Sequence, residues 1–192
     1  MTTESARRKP RADAVQNRAL LIEAAKEVLG RGGPGASLEA VARRAGVGIG
    51  TLYRHFPTRE DLFQAAYRHE ALEMAALADR LAVEDPGTGG LRRWAHALVA
   101  MVATKRGMLG ALAVTQTDSN RAMYAEVSVT LAEAIGRLLQ NGIDAGLVRP
   151  DIGVEDFLGT VMALCYAREP APGWEAQVLR VLDIFVDGLA VR

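Results

Sequence analysis

The residues with a chemical task lie between Ser37 and Phe56, where two short segments with apolar faces are joined by a glycine-containing turn. Ser37 can accept hydrogen bonds from the free amides that open a helix with core face Leu38, Val41, Ala42 and Ala45, and Glu39 suits its first turn. Gly46 permits the positive φ of a tight turn, Val47 plugs the junction, and a second short helix covers 48–56 before Pro57 stops it. Two helices in this relation, braced by a third, place a recognition helix in the major groove of DNA. The implied chemistry is recognition by hydrogen bonds to phosphates and base edges.

No catalytic constellation accompanies this segment. His69, His96 and Cys165 do not form a metal pair at helical spacing, and no Ser/His/Asp or paired-carboxylate set stands out. A single cysteine excludes an internal disulfide framework. The expectation is a protein that is not an enzyme and uses no cofactor or metal.

The stretch SLEAVARRAGVGIGTLYRHFPTREDLF, above all Ala45-Gly46-Val47 followed by Gly50-Thr51-Leu52-Tyr53, His55-Phe56 and an acid-rich helix start after Arg59, resembles the DNA-binding head of the TetR family of repressors. The likeness is close over about residues 12–65; beyond them it rests on length, helicity and a final helix pair. It implies that Gly50 and Thr51 open the recognition helix, where a missing side chain allows close approach to DNA. It also implies that Tyr53 and His55 meet the sugar-phosphate backbone, the tyrosine ring being able to touch a thymine methyl. Arg59, where the family commonly has lysine, would clamp a phosphate at the N-terminus of the following helix, and Ser37 would add a phosphate contact while capping. Leu52 and Phe56 are read as core.

Two positions depart from the family pattern. Gly48 stands where serine or threonine is usual, so capping of the recognition helix is expected to be weaker. Ile49 stands where a polar or basic group is frequent. It either packs inward or faces the groove, where an apolar side chain prefers a thymine methyl. Ahead of the head, Arg7, Arg8, Lys9 and Arg11 read as a flexible basic arm over 1–12, either entering a minor groove or remaining solvated.

The chain of 192 residues has no net charge, yet residues 1–59 carry 11 Lys+Arg against 5 Asp+Glu, about +6, leaving about −6 for the rest. A basic reading head attached to a domain with another task gives this asymmetry. Apolar residues recur at three- and four-residue spacing with few strand signals, so the fold class is all-α. Helices are expected at 13–29, 37–45, 48–56, 58–81, 91–104, 107–114, 120–145, 154–167 and 174–191, with a Pro/Gly-rich break at 85–90. Thr58 and Asp61 form the capping box of the long fourth helix. The domains follow as the arm at 1–12, a helix-turn-helix domain at 13–57 and a helical ligand-binding and dimerisation domain at 58–192. No membrane span or secretory signal is expected, which points to the cytoplasm.

One head reads only a few base pairs, so specificity calls for two heads about 34–36 Å, or a multiple of that, apart. By resemblance the last two helices form a four-helix bundle with their twins, through Phe157, Val161, Leu164, Val178, Leu182 and Phe185. A core within one chain would produce the same stripes. Trp94, Leu98, Met101, Met108, Leu112, Gln116, Met123, Tyr124, Val127 and Met162 are candidates for the wall of a pocket for an apolar or amphipathic effector, although methionines suit ordinary cores equally. The functional expectation is a repressor that releases a pseudo-palindromic operator when the effector binds. An effector-free DNA binder and an all-helical carrier or enzyme are the rivals.

Overall fold

The computed structural model describes residues 5–32, 35–114, 117–167, 171 and 173–191, with side chains from Asp13 onward. Its elements are α1 (Ser5–Gly30), α2 (Leu38–Arg44), α3 (Ile49–His55), α4 (Arg59–Glu84), α5 (Thr88–Leu112), α6 (Asp118–Asp144), α7 (Val154–Tyr166) and α8 (Trp174–Asp187). The all-α expectation holds. The only strand-like pairing among the described residues is an isolated bridge between Val148 and Ala190.

Two compact units are present, one made of Met1–His69 with Thr104–Asn120, the other of Glu70–Ala103 with Arg121–Arg192. The expected border at 57 falls inside the first unit, because the long helices α4 and α5 each contribute to both.

In the first unit, Leu21, Ala25 and Leu29 of α1, Leu38 and Val41 of α2, Leu52 and Phe56 around α3, and Leu62 and Phe63 of α4 close a dry core. Helix α1 begins at Ser5 rather than Asp13, so the backbone of the basic segment is helical. The side chains of Arg7, Arg8, Lys9 and Arg11 lie outside the described residues.

Helix α5 corrects the expectation of separate helices at 91–104 and 107–114, since it runs unbroken to Leu112. Gly107 serves packing within it: a Cβ there would stand 1.8 Å from the Gly30 carbonyl oxygen, so the glycine admits the end of α1 against α5.

In the second unit the Trp94 ring lies 6.4 Å from Phe157, and Phe157 lies 5.8 Å from Phe185, a tilted aromatic column through α5, α7 and α8. The Trp94 indole Nε1 donates to the Met74 carbonyl at 3.0 Å, so the buried ring leaves no orphan donor. At the surface, Asp183 of α8 forms an ion pair with Arg92 Nε at 3.2 Å and lies 2.7 Å from His96 Nε2, which ties α8 to α5.

Candidate nucleic-acid interface

The helix-turn-helix is assembled from local signals. The Ser37 hydroxyl accepts from the Ala40 amide at 3.1 Å and caps α2. At the other end Gly46 takes φ 71°, and the Val47 amide donates to the Ala42 carbonyl at 3.0 Å, so the chain reverses in a glycine-dependent turn. Gly48 then stands at the N-cap of α3 with no side-chain hydrogen bond, and Thr51 donates its amide to the Gly48 carbonyl at 2.9 Å. Pro57 follows, and the capping box closes around α4. Thr58 N donates to Asp61 Oδ2 at 3.0 Å, and Asp61 N donates to Thr58 Oγ1 at 3.0 Å.

Seven residues make α3, and they divide cleanly. Leu52, with Phe56 just beyond, is buried, while Ile49 is 38% and Tyr53 46% exposed. Ile49 therefore faces outward, an arrangement that fits a recognition surface, since Leu52 and Phe56 already fill the inward side. Gly50 is exposed, and a Cβ on it would meet nothing within 4 Å, so nothing inside the protein requires glycine there. Thr51 and His55 are half-buried, and the His55 ring is 6.4 Å from Phe56, which also carries the Arg18 guanidinium 5.0 Å above its face.

Arg59 opens α4, and its Nη1 donates to the Leu112 carbonyl at 3.4 Å. Ser37, Glu39, Tyr53 and Arg59 line one small cavity of about 120 Å³ with Ala111 and Leu112. Hydrogen bonds from the backbone and from Ser37 hold the Glu39 carboxyl below the usual carboxylate range, and the Arg59 charge adds to them. Gly48, Gly50, Ile49 and Tyr53 thus share one exposed helix, with Ser37 and Arg59 flanking it. Arg54, a charge the sequence analysis did not single out, is also exposed on the last turn of α3.

Residues 21–66 match the family described as bacterial regulatory proteins, tetR family, and residues 85–191 match the domain described as transcriptional regulator SbtR-like, C-terminal domain. The chain belongs to the TetR family. It is similar to the TetR transcriptional regulator SCO0520 from Streptomyces coelicolor, with 34% identity, TM-score 0.76 and coverage of 90% of this chain and 98% of that one. A TetR transcription regulatory protein from Mycobacterium vanbaalenii is similar at 32% identity and TM-score 0.70, over 94% of this chain and 99% of that one. The transcriptional repressor KstR from Mycobacterium tuberculosis is 38% identical over 69 residues, 35% of this chain and 31% of that protein. This TetR-family member is accordingly a DNA-binding transcriptional regulator, of a family that binds operators and typically dimerises. Among its described residues no helix is long and apolar enough to cross a membrane.

The expected effector residues of this regulator are scattered. Trp94, Leu98, Met101, Met123 and Val127 are buried in the second unit, with Tyr124 and Met162 half-buried there. Met108 and Leu112 are buried in the first unit, and Gln116 lies outside the described residues. Burial, with Tyr166 nearby, raises the Tyr124 phenol above its ordinary range. A cleft of about 400 Å³ is lined instead by Leu164, Cys165, Trp174, Val178, Arg180 and Val181 of α7, α8 and their junction, and by none of the expected set.

The dimerisation set divides as well. Phe157, Val161 and Leu182 are buried within the protomer itself and leave no surface for a partner. Leu164 and Val178 border the open cleft, and Phe185 is half-buried against Phe157. The apolar groups that α7 and α8 do expose are Tyr166, Val181 and, most fully at 73%, Ile184.

Proposed function

We propose that this regulator is a repressor whose homodimer holds a pseudo-palindromic operator and releases it on binding a small, largely apolar effector. The observation that carries the reading is α3, a short helix anchored by buried Leu52 and Phe56 that presents Gly50, Ile49 and Tyr53 outward. With that face in the major groove, Gly50 lets the backbone approach. Ile49 meets a thymine methyl, Thr51 and His55 reach the sugar-phosphate chain, and Tyr53 does so with its hydroxyl. Ser37, Arg59 and Arg54 supply phosphate contacts around it, and the basic start of α1 adds a salt-sensitive one.

The dimer forms through the exposed side of α7 and α8, with Val181 and Ile184 as its apolar anchors. Effector binding alters α5 and α4, the two helices that contribute to both units, and thereby the spacing of the heads. Repression is supported by the likeness to the transcriptional repressor KstR over 69 residues.

Footprinting of the DNA flanking the regulator's own gene, at controlled salt, tests the reading. Wild type should protect an inverted repeat that Thr51→Ala and Tyr53→Ala fail to protect. Protection unchanged in both variants would remove α3 from the interface.

A further inference from the structure

Arg59 sits in the first turn of α4, where the amide dipoles of its own helix disfavour a cation. Its Nη1 nevertheless has a favourable partner, the Leu112 carbonyl at 3.4 Å, at the C-terminal end of the 25-residue helix α5. There the last carbonyls lack helical partners and concentrate partial negative charge. Immediately beyond, Ala113 has φ 51°, the left-handed region that glycine adopts freely and alanine resists. The terminus that holds Arg59 is therefore kept in a conformation its own sequence disfavours.

A guanidinium is a planar fork of five donors, so one nitrogen can bond the carbonyl while the others stay available in the cavity that Arg59 lines with Ser37, Glu39 and Tyr53. Lysine, common at this position in the family, is a single point charge that cannot serve two acceptors in a fixed plane. We propose that the Leu112 carbonyl is a positioning group for DNA binding: it orients the Arg59 guanidinium toward an operator phosphate, and displacement of the α5 terminus disorients it. The proposal rests on Arg59 as a phosphate contact.

Fluorescence anisotropy of the full-length protein on a random-sequence duplex, measured across a salt series, tests it, because a phosphate contact is sequence-independent. Arg59→Met should weaken binding about tenfold per head, the size of one charge-assisted hydrogen bond, and flatten the salt slope by about 0.9 for each phosphate no longer neutralised. Ala113→Val, uncharged and strongly averse to positive φ, should reproduce most of both effects at unchanged dimer content. Ala113→Gly should bind at least as well as wild type, and Ala113→Val should add nothing to Arg59→Met.

Wild-type binding by Ala113→Val, or a further weakening when it is added to Arg59→Met, would overturn the positioning role while leaving the phosphate contact intact. Wild-type binding by Arg59→Met would instead remove the contact and the proposal with it. If Ala113→Val fails to fold, Arg59→Lys decides: it should keep the salt slope yet bind several-fold more weakly, and wild-type affinity would contradict the role of the fork.

Discussion

Gly107, within α5, faces the Gly30 carbonyl oxygen so closely that a Cβ at position 107 would stand 1.8 Å from it. The obstacle is backbone and cannot swing aside. Gly107→Ala gains up to about 1 kcal/mol of helix propensity but overpacks the crossing at about 1–3 kcal/mol, so the net effect is destabilising. Gly110, three residues on, has nothing within 4 Å of its would-be Cβ. Gly110→Ala therefore keeps the propensity gain and should raise the thermal midpoint that Gly107→Ala lowers, as calorimetry of the two variants will register.

The contrast also explains what the sequence revealed. Ser37, Gly46 and the Thr58–Asp61 pair act on their neighbours within a turn, so the helices they bound were legible from local residue types. Gly107 acts through Gly30, far away along the chain, and reads locally as a break that the fold does not contain. The apolar stripes of α7 and α8 were visible. Which of their sides stays exposed depends on Trp94 and its neighbours filling the space against Phe157, and periodicity carries no such information. For α3 the inward side was legible in Leu52 and Phe56, while the direction of Ile49 was not, because one isoleucine on a short helix suits either side.

Capping of the two helices should respond in opposite directions. Ser37→Ala removes the acceptor for the Ala40 amide and should cost about 0.5–2 kcal/mol in urea unfolding. At α3 the N-cap Gly48 makes no side-chain bond and has open space around it, so Gly48→Ser should add a few tenths of a kcal/mol.

Lys105 supplies a pH-dependent test. Burial, with the adjacent Arg106 charge, lowers its pKa below the ordinary 10.5, even though its ammonium lies 5.3 Å from the Tyr67 ring centroid. Between that lowered value and 10.5 the unfolded chain holds more protons than the native one, so this residue makes stability rise with pH across that window. Below the window the native state carries the charge that burial disfavours. Lys105→Met should therefore be more stable than wild type at neutral pH, with the advantage fading as pH passes 10.5, in urea titrations at both ends.

Association and folding should separate at the α7/α8 pair. Ile184→Glu and Val181→Glu place charge on exposed positions, so sedimentation should find folded monomers. Phe157→Ala empties the aromatic column and should cost about 3–5 kcal/mol of stability.

Selection of binding sites from a random duplex pool by the purified protein, repeated with Tyr53→Ala, is the decisive measurement for operator recognition by α3. Wild type should enrich an inverted repeat with half-sites about 34–36 Å, or a multiple of that, apart, and Tyr53→Ala should abolish the enrichment while remaining folded and dimeric. Enrichment of the same repeat by both proteins, or of no repeat by wild type, would contradict it.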